Sequence, residues 1–261
     1  RDLIVTGVQT CALPIYICCD DLRDAEKVAA CSRIAHICAT PEELIGRVDA
    51  VIIATDIGGE HVRRARPFIA AGVPVFLDKP LCDNAADLAV FEEWVDRGAA
   101  ILSSSCMRYA KEYAIYHHQP REFGELRHIY VPMAKKWETY AIHALEAAYP
   151  ILGPGFLNAV HAGDSERHFV TYAHRGGCHL TIACIKDMQY GGAMHLGGTR
   201  GHATVTANDT YQAFRAQLLA WVEYLRTGTR PFPWAETREL MQMVIAGIAG
   251  CERPGAVIPL N

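Results

Sequence analysis

VDAVIIATDIGGEHVRRARPFIAAGVPVFLDKP, residues 48–80, decides the fold of this 261-residue chain. Residues 48–54 form a short, nearly continuous apolar run rich in Val and Ile, the pattern of a strand buried on both faces. Residues 73–77 repeat that character and are reached through the helix stop Ala71-Gly72. Two such strands joined by a helix make a right-handed βαβ unit, so the sheet is parallel. Ligands of parallel sheets bind beyond the carboxyl ends of the strands. Polar groups stand at both ends: Thr55 and Asp56 after the first strand, Asp78 and Lys79 after the second. A Lys fixed by the following Pro80 at such an edge suits a cofactor or a reacting hydroxyl. Pro67, in the middle of the crossover helix, removes a hydrogen bond and predicts a late start or a bend.

Upstream, residues 15–19 predict another strand that ends at Asp20, and residues 24–31 a helix that Asp20 or Asp21 can cap. Downstream, Asp83 or Asn84 caps a helix carrying Leu88, Phe91, Trp94 and Val95, stopped at Gly98. A strand over residues 99–103 then leads to Met107-Arg108-Tyr109. Around Gly124 the pattern changes. Residues 126–133, 167–173, 178–185 and 202–207 suggest extended segments, with glycine pairs at 176–177, 191–192 and 197–198 between them. In the third, Leu180, Ile182 and Cys184 alternate with His179, Thr181 and Ala183, the period of a half-buried strand. Two amphipathic helices close the chain. The first carries Tyr211, Phe214, Leu218, Trp221 and Leu225 and stops at Gly228; the second spans residues 236–249; their apolar stripes are read as core.

The chemical centre of this half is KWETYAIHALE, residues 136–146. On a helix Thr139, His143 and Glu146 fall at i, i+4 and i+7 and form one polar stripe. Ile142, Leu145 and Tyr149 form the neighbouring apolar stripe. The helix is therefore expected to pack on one side and show His143 on the other, and to end at Pro150, Gly153, Pro154 and Gly155.

The amino terminus does not belong with the rest. Residues 5–15, VTGVQTCALPI, resemble residue for residue the translation of a common sequencing adapter, so residues 1–15 are set aside as a leader foreign to the fold. Physics agrees. A dinucleotide domain opens with strand, G-x-G-x-x-G and helix; Gly7 can stand for the first glycine, but no second or third follows it. A parallel crossover also needs about a dozen residues, more than the stretch available before the next strand.

Taken in order, Asp49-Ala50-Val51, Ala54-Thr55, His61 with Ala65 four residues on, Ala71-Gly72 and Asp78-Lys79-Pro80 resemble the nucleotide domain of the Gfo/Idh/MocA family, with Asp78 in place of that family's Glu. The resemblance implies an α/β protein: a truncated Rossmann-type parallel sheet domain over residues 16–121, then an α+β domain with an open, mostly antiparallel sheet over residues 122–261. It implies NAD as cofactor, or NADP, bound by Asp20, Thr55, Asp56, His61, Asp78 and Lys79. In such proteins an acid at the position of Asp20 holds the adenosine ribose hydroxyls, which favours NAD because a carboxylate repels a ribose phosphate; the other role open to Asp20 is the helix cap.

The same resemblance makes Lys79 and His143 catalytic and places Arg108, Lys136 and Glu146 against the substrate. The family's later helix often reads D-x-G-x-H-x-x-D. Here His143 matches the His and Glu146 the final acid, but Thr139 replaces the first Asp and Ala141 the Gly. Thr139 removes the carboxylate that would orient the imidazole, and Glu138 and Tyr140 lie in another register. His143 is thus a catalytic base or a buried hydrogen-bonded histidine, and Arg108 a substrate contact or the partner of a helix carboxylate. The implied reaction is hydride transfer between nicotinamide and a hydroxyl carbon of a sugar, polyol or related small molecule. Redox-neutral, NAD-assisted glycoside cleavage and non-catalytic sugar binding are the alternatives. Net NADH formation separates the first from dehydrogenation, and tolerance of Lys79→Met separates the second.

Composition bounds the partners. A net charge of −4 and a pI near 6.3 give no footprint for nucleic acid or an anionic membrane. No apolar run reaches the roughly 18 residues of a membrane span. A small-molecule substrate, a cytoplasmic location and, from the resemblance, a homo-oligomer are expected. The ten cysteines include Cys11 of the leader and show no C-x-x-C spacing. Cys18, Cys19 and Cys184 fall in apolar runs and are read as buried free thiols. The twelve histidines are scattered, no metal is expected, and His117-His118 is read as a solvated pair.

With no glycine loop, the chain as it stands is expected to bind a dinucleotide poorly. The loop and the helix after it normally take the pyrophosphate through backbone N–H groups and the helix dipole. Losing several charge-assisted hydrogen bonds, each worth about 1.5–3 kcal/mol, weakens affinity by orders of magnitude. Calorimetric titration with NADH tests this, and micromolar binding at a single site contradicts it.

Overall fold

The computed structural model describes residues 14–118, 121–189 and 192–260. Most of the leader lies outside these, as does Gly191. The chain divides into two units, Arg1–Ser103 with Ala220–Pro231 and Ser104–Leu219 with Phe232–Asn261. The division thus falls nearer the amino terminus than the change of pattern around Gly124.

The first unit is built from strand–helix repeats. β1 (Tyr16–Ile17) leads through α1 (Leu22–Ser32) to β2 (His36–Ile37), which pairs parallel with β1. Asp21, not Asp20, caps α1: its carboxylate accepts from the Arg23 backbone N–H at 2.9 Å. β3 (Val51–Ile53), α2 (His61–Ala70), β4 (Val75–Leu77), α3 (Ala85–Asp96) and β5 (Ile101–Ser103) follow. Val51, Val75 and Ile101 stand in register across three parallel strands, and all are fully buried.

The crossover helix starts at His61, after a 3-10 turn at Gly58–Glu60, and runs through Pro67, which lies in its interior. It ends in a paired cap: Gly72, at φ +71°, donates to Ile69 O and Val73 donates to Phe68 O. Asn84 is the residue that caps α3, accepting from Asp87 N–H at 2.9 Å. Among the described residues no strand joins β1 to β3, so the parallel sheet stands in two pieces, β1-β2 and β3-β4-β5. Trp221, late in the chain, packs on Phe76 of β4 at 5.9 Å between rings.

The second unit begins with a 3-10 turn (Cys106–Tyr109) and α4 (Lys111–Ala114), then β6 (Leu126–Ala134) and α5 (Trp137–Leu152). β7 (Phe156–Gly163), β8 (Arg167–His174), β9 (His179–Ile185), β10 (Met194–Gly198) and β11 (His202–Val205) complete most of its sheet. α6 (Thr210–Thr227), α7 (Trp234–Cys251) and β12 (Val257–Pro259) close the chain. The sheet runs β11-β10-β6-β9-β8-β7-β12, open and antiparallel except at β6-β9. The sequence did not reveal β7, β10 and β12. β7 carries Asn158 and His161 among its apolar residues, β10 ends in two glycines, and β12 holds Pro259 at a sheet edge, where a missing N–H costs nothing.

Two expectations need correction. α5 passes through Pro150 to Leu152 before Gly153, at φ +72°, ends it, and it is buried on nearly every face. His143 is therefore inside at 7% exposure, because the turn that follows Ser105 packs on that face of the helix. The apolar stripe of α6 is core only at its later end: Trp221 is buried, while Tyr211, Phe214 and Leu218 are exposed, Tyr211 at 78%. Close helix approach depends on two glycines of α7. A Cβ at Gly247 would lie 2.2 Å from the Trp137 ring, and one at Gly250 would lie 2.8 Å from His161 Cβ. Among the described residues no helix is long and apolar enough to cross a membrane.

Candidate active site

In the first unit the polar groups gather at the carboxyl ends of β3 and β4. Thr55 is buried, and its hydroxyl accepts from Ile57 N–H at 3.4 Å, turning the chain so that Asp56 is exposed. The loop then presses on the one after β4: a Cβ at Gly58 would meet the Cys82 carbonyl carbon at 2.9 Å, so only glycine fits. Lys79 is 9% exposed with its ammonium 3.1 Å from Asp78, which holds the charge at the strand end.

His61, expected to touch the cofactor, is corrected to a positioning residue. It is 0% exposed, with Nδ1 3.0 Å from Leu81 O and Nε2 3.0 Å from Thr55 O. The ring clamps the two strand-end loops from beneath. Burial pushes its pKa below the ordinary histidine value, against the pull of the two carbonyls, and a neutral ring donates to one of them at a time. Asp20 is exposed at the end of β1, where a ribose-binding acid belongs, and is paired with Arg64 at 2.8 Å; Glu60 holds the same guanidinium at 2.7 Å.

The second unit places His143 in a buried polar network. Its Nδ1 lies 2.7 Å from Ser105 Oγ, and Tyr140 stands beside the ring, 5.3 Å between centroids. Ser105 also accepts from Met107 N–H at 3.1 Å, and its own N–H donates to Glu146 at 3.3 Å. No signal in the sequence pointed to Ser105, because its partner is 38 positions away. It is the oxygen that the structure places beside the imidazole.

Arg108 and Glu146, both expected at the substrate, are buried against each other. Arg108 Nε donates to Glu146, its Nη1 donates to Glu236 at 2.7 Å, and the guanidinium lies over the Phe232 ring at 4.0 Å. Burial works against the Arg108 charge, but the two carboxylates hold its pKa above the ordinary arginine value. Burial pushes the Glu146 carboxyl up, and Arg108 opposes it. Arg108 therefore has the helix carboxylate as its partner, the second of its two expected roles. Lys136 stands exposed at the N-cap of α5. His117-His118 is a solvated pair only at His118. His117 is half-buried with Nε2 unpartnered, and burial, His118 and Arg108 together push its pKa down to about 4.

Comparison with known proteins bears on the fold. Residues 10–103 match the sequence model of the Gfo/Idh/MocA group, described as an oxidoreductase family with an NAD-binding Rossmann fold. Inositol 2-dehydrogenase of Gluconacetobacter diazotrophicus is 41% identical over 70 residues, 26% of this chain and 21% of that enzyme. The aligned stretch thus spans about a fifth of that curated relative. The crystal structure of myo-inositol 2-dehydrogenase from Lactobacillus plantarum superposes with a TM-score of 0.81 at 12% identity, covering 98% of this chain and 93% of that one. A myo-inositol dehydrogenase from Corynebacterium glutamicum gives a TM-score of 0.80 at 16% identity, covering 95% and 91%. At these identities the structural likeness establishes the fold: a parallel Rossmann-like sheet followed by a mostly antiparallel one.

The buried network makes a stability prediction. Arg108→Met leaves two carboxylates facing an apolar stem, and breaking a buried pair by removing one partner costs about 3–5 kcal/mol. Urea unfolding measures the loss; a change below about 1 kcal/mol, the size of an exposed ion pair, would show that the network is solvated.

Proposed function

We propose, from the chain's place in the Gfo/Idh/MocA oxidoreductase family, that it descends from a nicotinamide-dependent dehydrogenase of a polyol, sugar or related hydroxylated small molecule. The observation that carries this reading is the pair of chemical groups: Lys79 held at a strand end by Asp78, and His143 held by Ser105. The strand-end residues fit a dinucleotide. Thr55, Asp56 and Lys79 would line its nicotinamide half and Asp20 its adenosine ribose, which favours NAD over NADP. Bound nicotinamide supplies a two-electron acceptor for the hydrogen that leaves the alcohol carbon.

The chain's own residues handle the proton. The Lys79 ammonium donates to the substrate hydroxyl oxygen and stabilises the negative charge that develops there. His143 Nε2 accepts the hydroxyl proton. For that, Nε2 must be bare, so Nδ1 must carry the hydrogen and Ser105 Oγ must accept it. Arg108 acts one layer back, fixing Glu146 and through it the Ser105 backbone. Lys136 is free of the core and orients the substrate's outer hydroxyls. The names of the matched relatives support inositol and similar polyols as the substrate class. Leu157 and Phe169, exposed on β7 and β8, support a homo-oligomer through the sheet of the second unit.

The test needs a competent cofactor site. In a chain whose residues 1–15 are replaced by a strand, G-x-G-x-x-G loop and helix, polyols should reduce NAD+, read as NADH absorbance. Lys79→Met and His143→Asn should each lower kcat by about 10²–10⁴-fold. Ser105→Ala should lower kcat while leaving KM within a few-fold. Full activity in Lys79→Met or His143→Asn would overturn the assignment.

A further inference from the structure

A second group of ligating side chains lies in the second unit, away from the residues assigned above. His161 of β7, His168 of β8 and Cys251 at the end of α7 each offer a nitrogen or sulfur atom, all within 4.8 Å of one another. Both histidines are almost wholly buried, while Cys251 is partly accessible and leaves an entry path. Three separate elements supply the three donors, and no short sequence spacing announces them. The approach is built in: Gly250 precedes Cys251, and a Cβ there would lie 2.8 Å from His161 Cβ. A larger residue would push the end of α7, and its thiol, off the strand.

Hydrogen bonding fixes the protons. His168 Nε2 is 3.3 Å from Ser165 O, an acceptor only, so the hydrogen of a neutral His168 ring is on Nε2 and its Nδ1 is bare. His161 Nε2 lies 2.9 Å from that Nδ1 and must donate to it. The remaining atom, His161 Nδ1, is then a bare lone pair, buried and without a hydrogen-bond partner.

We propose that His161, His168 and Cys251 form a binding site for a divalent transition-metal ion, Zn2+ being the ion that best suits two imidazoles and a thiolate. On binding, His161 moves its hydrogen from Nε2 to Nδ1, the Cys251 thiol gives its proton to water, and N–metal, N–metal and S–metal bonds form. His168 keeps its Nε2–H on the Ser165 carbonyl, the backbone support that metal-bound histidines use. Water completes the shell. The ion would clamp the β7-β8 hairpin to the end of α7, independently of any dehydrogenase activity.

Co2+ serves as the probe on the intact chain, because a cobalt–thiolate bond gives near-ultraviolet charge-transfer absorption. One equivalent should bind with that band, and Zn2+ should displace it and raise the melting temperature. Cys251→Ser should abolish the band and weaken binding by about 100-fold or more, and His168→Gln should weaken it by at least about tenfold. Cys31, the exposed thiol, is the control: Cys31→Ser should leave the band unchanged. Melting of each variant without metal verifies the fold, and Cys251→Ser alone decides the matter if His168→Gln unfolds. Absence of the band, or a band that survives Cys251→Ser, overturns the proposal.

Discussion

The Arg108 guanidinium, buried between the carboxylates of Glu146 and Glu236, is the constraint on which the second unit's chemistry depends. Arg108 and its two partners come from three places in the sequence: the turn at Cys106–Tyr109, α5 and α7. A buried ion pair is weak evidence for net stability, because desolvation offsets most of the attraction. Its value here is positional. Breaking it strands a charge, so the turn, α5 and α7 hold one arrangement, and in that arrangement Ser105 N–H meets Glu146 and Ser105 Oγ meets His143. The aromatic faces of Phe232 and Tyr149 lie against the same guanidinium and keep water from it.

From that arrangement follows an answer to the loss of a carboxylate at Thr139. A carboxylate beside an imidazole fixes the tautomer and stabilises the positive ring. A hydroxyl can donate or accept, so it orients the ring without by itself fixing the tautomer. Ser105 therefore keeps His143 pointed. The first unit shows the same division of labour. Lys79 carries the charge at the strand end, and His61 beneath it spends both ring nitrogens on the carbonyls of Thr55 and Leu81, so its contribution is the shape of the loops.

Local pattern made the first unit legible. The apolar runs of β3 and β4 and the glycine stops after α2 and α3 appear in the structure, because each depends on neighbours within a few residues. The second unit was legible in type but not in burial. Thr139, His143 and Glu146 do make a stripe on α5, yet a stripe cannot say what covers it, and the turn that begins at Ser105 lies on the face where solvent was expected. Exposed Tyr211 and Phe214 err in the opposite direction for the same reason. Ser105, the Glu236 partner of Arg108 and the meeting of His161, His168 and Cys251 depend on contacts across long stretches of chain, for which one sequence has no local signal.

The claim on which the mechanism rests is that His143 offers a bare Nε2 to a substrate hydroxyl. Nitrogen-15 NMR of the histidine rings, with His143 assigned by comparison with His143→Asn, reads the protonation of each nitrogen directly. The account predicts that at neutral pH the hydrogen is on Nδ1, shared with Ser105, and that Ser105→Ala lets the ring move to a mixture of tautomers. A hydrogen fixed on Nε2, unchanged by Ser105→Ala, would contradict it, because a ring in that state can donate to the substrate oxygen but cannot take its proton.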